Sequence, residues 1–142
     1  MQIKQSDLFF GVSQNFVKEV MTIAEKRAFK ANDVVFRSGD AAESIYILIT
    51  GEVRLAAGEL GRAVYSSSKT GDLFGWSSLI GRPSYSASAL CQSNTVLLKI
   101  DRTPLLAIID RDPVNGLSFF KHLAAALGNR LMNMYRIVDN TS

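Results

Sequence analysis

The stretch Gly71–Ala89, GDLFGWSSLIGRPSYSASA, decides the reading of this chain. It frames a glycine turn, a short helix start, a loop and then a strand of small and hydroxyl residues. Gly75 is the one glycine for which a ligand role competes with plain turn geometry. With Ser77 and Ser78 behind it, backbone N–H groups and hydroxyls gather at a helix start, which is the chemistry of an anion cradle. Two aromatic residues, Trp76 and Tyr85, interrupt that otherwise small and polar pattern.

Around this stretch the pattern is one of short β-prone runs. Asp33–Phe36, Ile45–Ile49, Glu52–Leu55, Ala63–Ser66, Ser84–Cys91 and Thr95–Ile100 are separated by Ser38-Gly39-Asp40, Thr50-Gly51-Glu52, Ala57-Gly58-Glu59 and Thr70-Gly71-Asp72. Ile45–Ile49 is apolar throughout and reads as buried on both faces; Glu52–Leu55 alternates and reads as half-wet. Strand runs at this spacing point to a sandwich or barrel. A first helix opens at Ser13, with Phe16, Val17, Val20, Met21 and Ala24 on one face. Thr103-Pro104 opens a short helix, and Asp112-Pro113 opens a long one. The expected division is a helical segment over 1–26, a β-roll over 27–101, a short helix over 102–110 and a terminal helix over 112–139, all in one α+β domain.

The terminal helix carries Leu117, Phe120, Ala124, Leu127, Leu131, Met134 and Val138 at alternating spacings of three and four, a heptad seam. Phe119, Leu123 and Ile137 form a second apolar set. One stripe suffices to pack a helix on its own domain. Two stripes predict that one faces the domain and the other a second copy of the chain, as a parallel two-fold pair. Complete burial within a monomer is the alternative.

The element order, Arg37 to Asp40, the tract Tyr46-Ile-Leu-Ile-Thr-Gly-Glu-Val-Arg54 and Gly71-Asp72-Leu73-Phe74-Gly75 together resemble the cyclic-nucleotide-binding domain, including the sensor halves of the Crp/Fnr transcription regulators. The resemblance implies an eight-stranded double-sheet jelly-roll barrel flanked by helices, with the last helix as dimerisation element. It also implies a ligand cassette, F-G-E-[LI]-A-L followed by R-[AS]-A, in which the arginine pairs with the cyclic phosphate and the glutamate accepts from the ribose hydroxyl. The candidate pocket is then Phe74, Gly75, Trp76, Ser77, Ser78, Arg82, Tyr85, Ser86 and Ala87. Phe74 and Gly75 match. The glutamate position carries Trp76 and the arginine position Tyr85. An indole donates but cannot accept, and a phenol brings no charge. Loss of the arginine alone weakens phosphate binding by about ten- to a hundredfold. Three readings stay open: retained anion binding with Arg82 swinging in, a flatter aromatic pocket for a less charged effector, or a filled pocket without ligand. The effector is cyclic AMP, cyclic GMP or another small molecule in the first two.

Composition limits the alternatives. The chain has 142 residues, one cysteine (Cys91), one histidine (His122) and a formal net charge of +3. No intramolecular disulfide or cysteine–zinc cluster can form. Cys91 reads as a buried hydrophobe. A lone histidine supports neither cupin-type metal chemistry nor a nucleophile–base pair, so no catalytic or metal site is expected. Haem ligation by His122, Met132, Met134 or Cys91 is the remaining cofactor alternative. Lys and Arg are dispersed and no recognition helix follows Asp139, so direct DNA binding is not expected. No signal-peptide core or membrane span is legible, and a cytoplasmic location is the expectation. A partner protein is a further candidate contact.

Overall fold

The structure is a computed structural model and describes residues 9–57 and 62–141. The chain runs α1 (Gln14–Ile23), β1 (Ala24–Phe29), β2 (Val34–Phe36), β3 (Ser44–Thr50), β4 (Val53–Ala57), β5 (Arg62–Ser67), β6 (Leu73–Phe74), a 3-10 turn (Trp76–Leu79), β7 (Ser88–Cys91), β8 (Thr95–Asp101), α2 (Arg102–Arg111) and α3 (Pro113–Thr141). The turn expected at Ala57-Gly58-Glu59 falls largely outside the described residues.

The strands form two antiparallel sheets of four, ordered β1-β8-β3-β6 and β2-β7-β4-β5. Eight strands in two sheets match the double-sheet jelly roll that was expected, but they do not close into a barrel. Each sheet keeps its own edges, and they are joined by side chains rather than by a continuous ladder. Between the sheets lie Phe36, Tyr46, Leu48, Leu55, Phe74 and Leu97. The other face of the first sheet packs on the helices through Ile45, Ile47, Leu98 and Ile100. Strand β3 therefore sends Ile45 and Ile47 one way and Tyr46 and Leu48 the other, and this is why its sequence is apolar without alternation.

Ser13 caps α1: its Oγ accepts from the Phe16 N–H at 3.2 Å. Phe16, Val17 and Val20 are buried, whereas Met21 is exposed and Ala24 already belongs to β1. That strand, AEKRAF, was not legible as one. Among the described residues it is an edge strand paired only with β8, its middle residues are exposed, and its charges blunt the open edge. Helix α2 begins at Arg102, as the expected range 102–110 has it but two residues before the proline of the Thr103-Pro104 signal, with Asp101 as the N-cap residue. No side chain caps it, because Asp101 Oδ1 accepts instead from Ser44 Oγ at 2.7 Å.

Helix α3 is seated by two features of its first turns. Asn115 Oδ1 accepts from the Ser13 N–H at 2.9 Å and its Nδ2 donates to Asp112 Oδ2 at 2.7 Å, so one side chain links the starts of α1 and α3. A Cβ on Gly116 would stand 2.6 Å from Ile109 Cγ2, so α2 and α3 approach as only glycine permits. Phe9, Phe16 and Phe119 meet with ring centroids 5.5–6.4 Å apart under this junction. Burying each such ring contributes about 1.5–3 kcal/mol.

Candidate functional site

The cassette is built on β6, whose Leu73 and Phe74 pair with Ile47 and Tyr46 of β3. Gly75 follows in the left-handed region, with φ of +80°. A Cβ there would stand 2.8 Å from the Ser44 carbonyl oxygen, so position 75 demands glycine for both conformation and space. The 3-10 turn then buries Ser77 and Ser78. Ser78 Oγ donates to the Gly75 carbonyl at 2.8 Å, so this hydroxyl is committed to holding the turn.

Tyr85 closes the space in front of Gly75. Its ring stacks on Phe36 with centroids 3.9 Å apart and planes 18° from parallel. Its hydroxyl donates to the Ser44 carbonyl at 2.6 Å and accepts from the Ser44 N–H at 3.2 Å. Tyr85 Cε1 lies only 3.2 Å from where a Gly75 Cβ would be. An aromatic ring thus rests against Gly75. Burial raises the Tyr85 phenol above its ordinary value, and burial with the neighbouring Tyr85 and Asp101 pushes Tyr46 up to about 12. Both phenols stay protonated at neutral pH.

A cavity of about 310 Å³ lies beside the cassette, between the second sheet and α3. The sheet contributes Leu55, Val64 and Tyr65; the cassette contributes Trp76, Ser86 and Ala87. Helix α3 contributes Leu127, Arg130, Leu131 and Met134. Arg130 is the single charged residue among these. Its Nη2 donates to Asp72 Oδ1 at 2.8 Å and also to the Leu73 carbonyl, and its Cζ sits 4.3 Å from the Tyr65 ring centroid. Tyr65 in turn donates its hydroxyl to Asp72 Oδ2 at 2.5 Å. The Arg130 and Asp72 side chains are only 12% and 14% exposed. Burial alone would raise the Asp72 carboxyl; the Arg130 charge and hydrogen bonds from Ser67, Tyr65 and Arg130 outweigh it and hold the carboxyl below its usual range. Arg130 Nη1 is buried and has no hydrogen-bond partner among the described residues.

The nine sequence-predicted pocket residues therefore part company. Trp76, Ser86 and Ala87 line the cavity. Phe74 lies beneath Arg130, with the guanidinium carbon 5.8 Å from its ring centroid. Gly75, Ser77 and Ser78 shape the turn, Tyr85 belongs to the core between the sheets, and Arg82 is exposed and does not line the cavity. Sequence reasoning missed Arg130, Asp72 and Tyr65. One signal was present: Arg130 is the only charged residue between Lys121 and Arg136 on an otherwise apolar and neutral helix.

On α3, Phe119 and Leu123 are buried in the helical core, while Leu117, Leu131 and Met134 are 60%, 47% and 44% exposed. Phe120 and Leu127 are half-buried, Ala124 and Ile137 are exposed, and the side chain of Val138 lies outside the described residues. Leu131 and Met134 thus stand both on the cavity wall and on the open side of the helix. No group of His, Cys, Asp and Glu suited to a metal ion is present among the described residues, and His122 Nδ1 lies 2.7 Å from the Ser118 carbonyl oxygen. Cys91 is buried, which raises its thiol pKa. No helix among the described residues is long and apolar enough to cross a membrane.

Known proteins place this geometry. A cyclic AMP receptor protein from Thermus thermophilus is 32% identical over 131 residues, 91% of this chain and 59% of that protein. The crystal structure of a Thermus thermophilus catabolite activator protein superposes with a TM-score of 0.76 at 29% identity, over 96% of this chain and 63% of that one. A cyclic nucleotide-binding domain from Methylobacillus flagellatus shares the fold at a TM-score of 0.86 and 19% identity, covering 99% of this chain and 84% of that one. The chain thus spans a little under two thirds of the receptor and activator relatives. Residues 26–112, which hold the whole cassette and all of both sheets but the first two residues of β1, match the profile of the cyclic nucleotide-binding domain. The chain belongs to the cyclic nucleotide-binding domain family.

Proposed function

We propose that this chain is a sensory module in which a small effector other than a tightly held cyclic nucleotide occupies the cavity between the roll and α3. The observation that carries this reading is the position of Tyr85. Its ring rests against Gly75 and its hydroxyl is tied to the Ser44 backbone, and in this reading that side chain takes up the place where the family's cassette would seat a phosphate. Beside it the cavity stays open, at the lower end of the size range of ligand pockets. Trp76 turns the ribose-binding corner into an indole wall, and no cation of the cassette reaches it. Signal output through a second copy of the chain goes with this reading, supported by the exposed stripe of Leu117, Leu131 and Met134 on α3. A cytoplasmic setting goes with it too, since the single buried thiol needs no oxidising compartment. The module carries no catalytic role, and DNA reading is not assigned to the described residues.

The test is isothermal titration with cyclic AMP and cyclic GMP. Neither is expected to bind with submicromolar affinity. Submicromolar binding of either would return the site to the family's usual nucleotide role and refute the reading of Tyr85.

A further inference from the structure

The cavity's polar wall differs in kind from a phosphate site. Its one charged lining residue, Arg130, comes from α3 and arrives already neutralised by Asp72, 2.8 Å away. The Asp72 carboxylate is itself saturated: it accepts from Arg130, Tyr65 and the Leu73 N–H. A second anion entering the cavity would meet a cation whose charge is spent and a carboxylate of its own sign, both shielded from water. The one N–H group of this pair without a hydrogen-bond partner among the described residues is the buried Nη1 of Arg130, and Ser86, also on the lining, is exposed. The rest of the wall, Leu55, Val64, Trp76, Leu127 and Met134 among it, is suited to a flat apolar body.

We infer that the Asp72–Arg130 pair is the specificity element of this cavity, and that it selects an uncharged ring compound bearing a hydrogen-bond acceptor over an anionic one. Asp72 acts as a built-in counter-ion that takes the place a ligand phosphate or carboxylate would claim. The inference rests on the reading of the cavity as an effector site and names its ligand class.

A matched pair of probes tests it: 2-naphthamide and 2-naphthoate, the same ring carrying a neutral acceptor or an anion. The chain has one tryptophan, so the single indole N–H signal of Trp76 in a ¹H–¹⁵N NMR titration reports occupancy from the cavity wall. In the wild type the amide is expected to bind about tenfold or more tighter than the carboxylate, because the anion would lose its water beside the Asp72 carboxylate with no uncompensated cation to meet it. Asp72→Asn keeps the side-chain shape and leaves the Arg130 charge uncompensated, so the order is expected to reverse. Arg130→Met removes the donor and is expected to abolish the amide preference; should it fail to fold, Asp72→Asn still decides. A carboxylate that binds the wild type as tightly as the amide overturns the inference while leaving an effector cavity in place. So does an Asp72→Asn protein that keeps the wild-type order. If neither probe moves the indole signal in either protein, the cavity is not a ligand site and both readings fall together.

Discussion

Replacing Tyr85 by phenylalanine removes one oxygen and tests the central claim about the cassette. The ring, its 3.9 Å stack on Phe36 and its contact with Gly75 would persist; only the hydroxyl would go. That hydroxyl serves two backbone groups of Ser44, a buried residue, donating at 2.6 Å and accepting at 3.2 Å. A buried polar group left without its partner costs about 1–3 kcal/mol. Two groups on one residue, relieved in part by relaxation of the Ser44 backbone, place the expected loss at about 2 kcal/mol. Against a typical total of about 5–15 kcal/mol, that is a readily measured share. Urea unfolding followed by far-UV circular dichroism is the assay, with an unchanged m-value showing that the unfolded ensemble is the same. A loss below about 0.5 kcal/mol, the scatter of an unremarkable surface change, would mean that the hydroxyl is not anchored. Tyr85 would then be free to move away from Gly75, and the proposal against ordinary nucleotide binding would lose its main support.

Three other outcomes follow from the same geometry. Gly75→Ala forces a Cβ to 2.8 Å from the Ser44 carbonyl oxygen at a φ of +80°, and should destabilise the domain by about 1–3 kcal/mol in the same assay. The Asp72 carboxyl is held below its ordinary value, so its contribution is fully present above the usual carboxylate range and is lost as pH falls through the folded-state value; Asp72→Asn should flatten this acid limb of the stability–pH curve. Leu117→Glu places a charge on the exposed stripe of α3 away from the cavity, and sedimentation equilibrium should show a dimer in the wild type and a monomer in the variant, with unchanged circular dichroism. A wild-type monomer at tens of micromolar would remove the helix pair from the proposal.

The strands were legible where burial writes a pattern. Ile45–Ile49 could be read as buried on both faces because β3 is covered on one side by helices and on the other by the second sheet. Strand β1 was hidden because Glu25, Lys26 and Arg27 sit on an edge, where charge blunts pairing and no apolar alternation is required. At the site, the unusual residues Trp76 and Tyr85 announced themselves, but their fates diverged in a way that spacing cannot specify. Trp76 lines the cavity, whereas Tyr85 turns into the core because Phe36 offers a parallel ring and Ser44 a backbone partner, both distant in sequence. Arg130 was lost inside a heptad reading. Its partner Asp72 lies 58 residues earlier, and only the packing of α3 on the roll brings them together.

Strand β3 lies between β8 and β6 in its sheet, and Leu48 also exchanges backbone hydrogen bonds with the Gly71–Asp72 turn at 2.8 Å. Neither the helical core nor the core between the sheets can be exposed without disrupting this one strand. The two cores are therefore a single cooperative unit, and the amide protons of Ile45–Leu48 should exchange with solvent only through global unfolding, while the edge amides of β1 and the distal turns of α3 open at far lower cost. Slow-exchanging amides in a protein of this size would map a seam one strand wide, along which the cassette's own turn is fastened to the most stable part of the molecule.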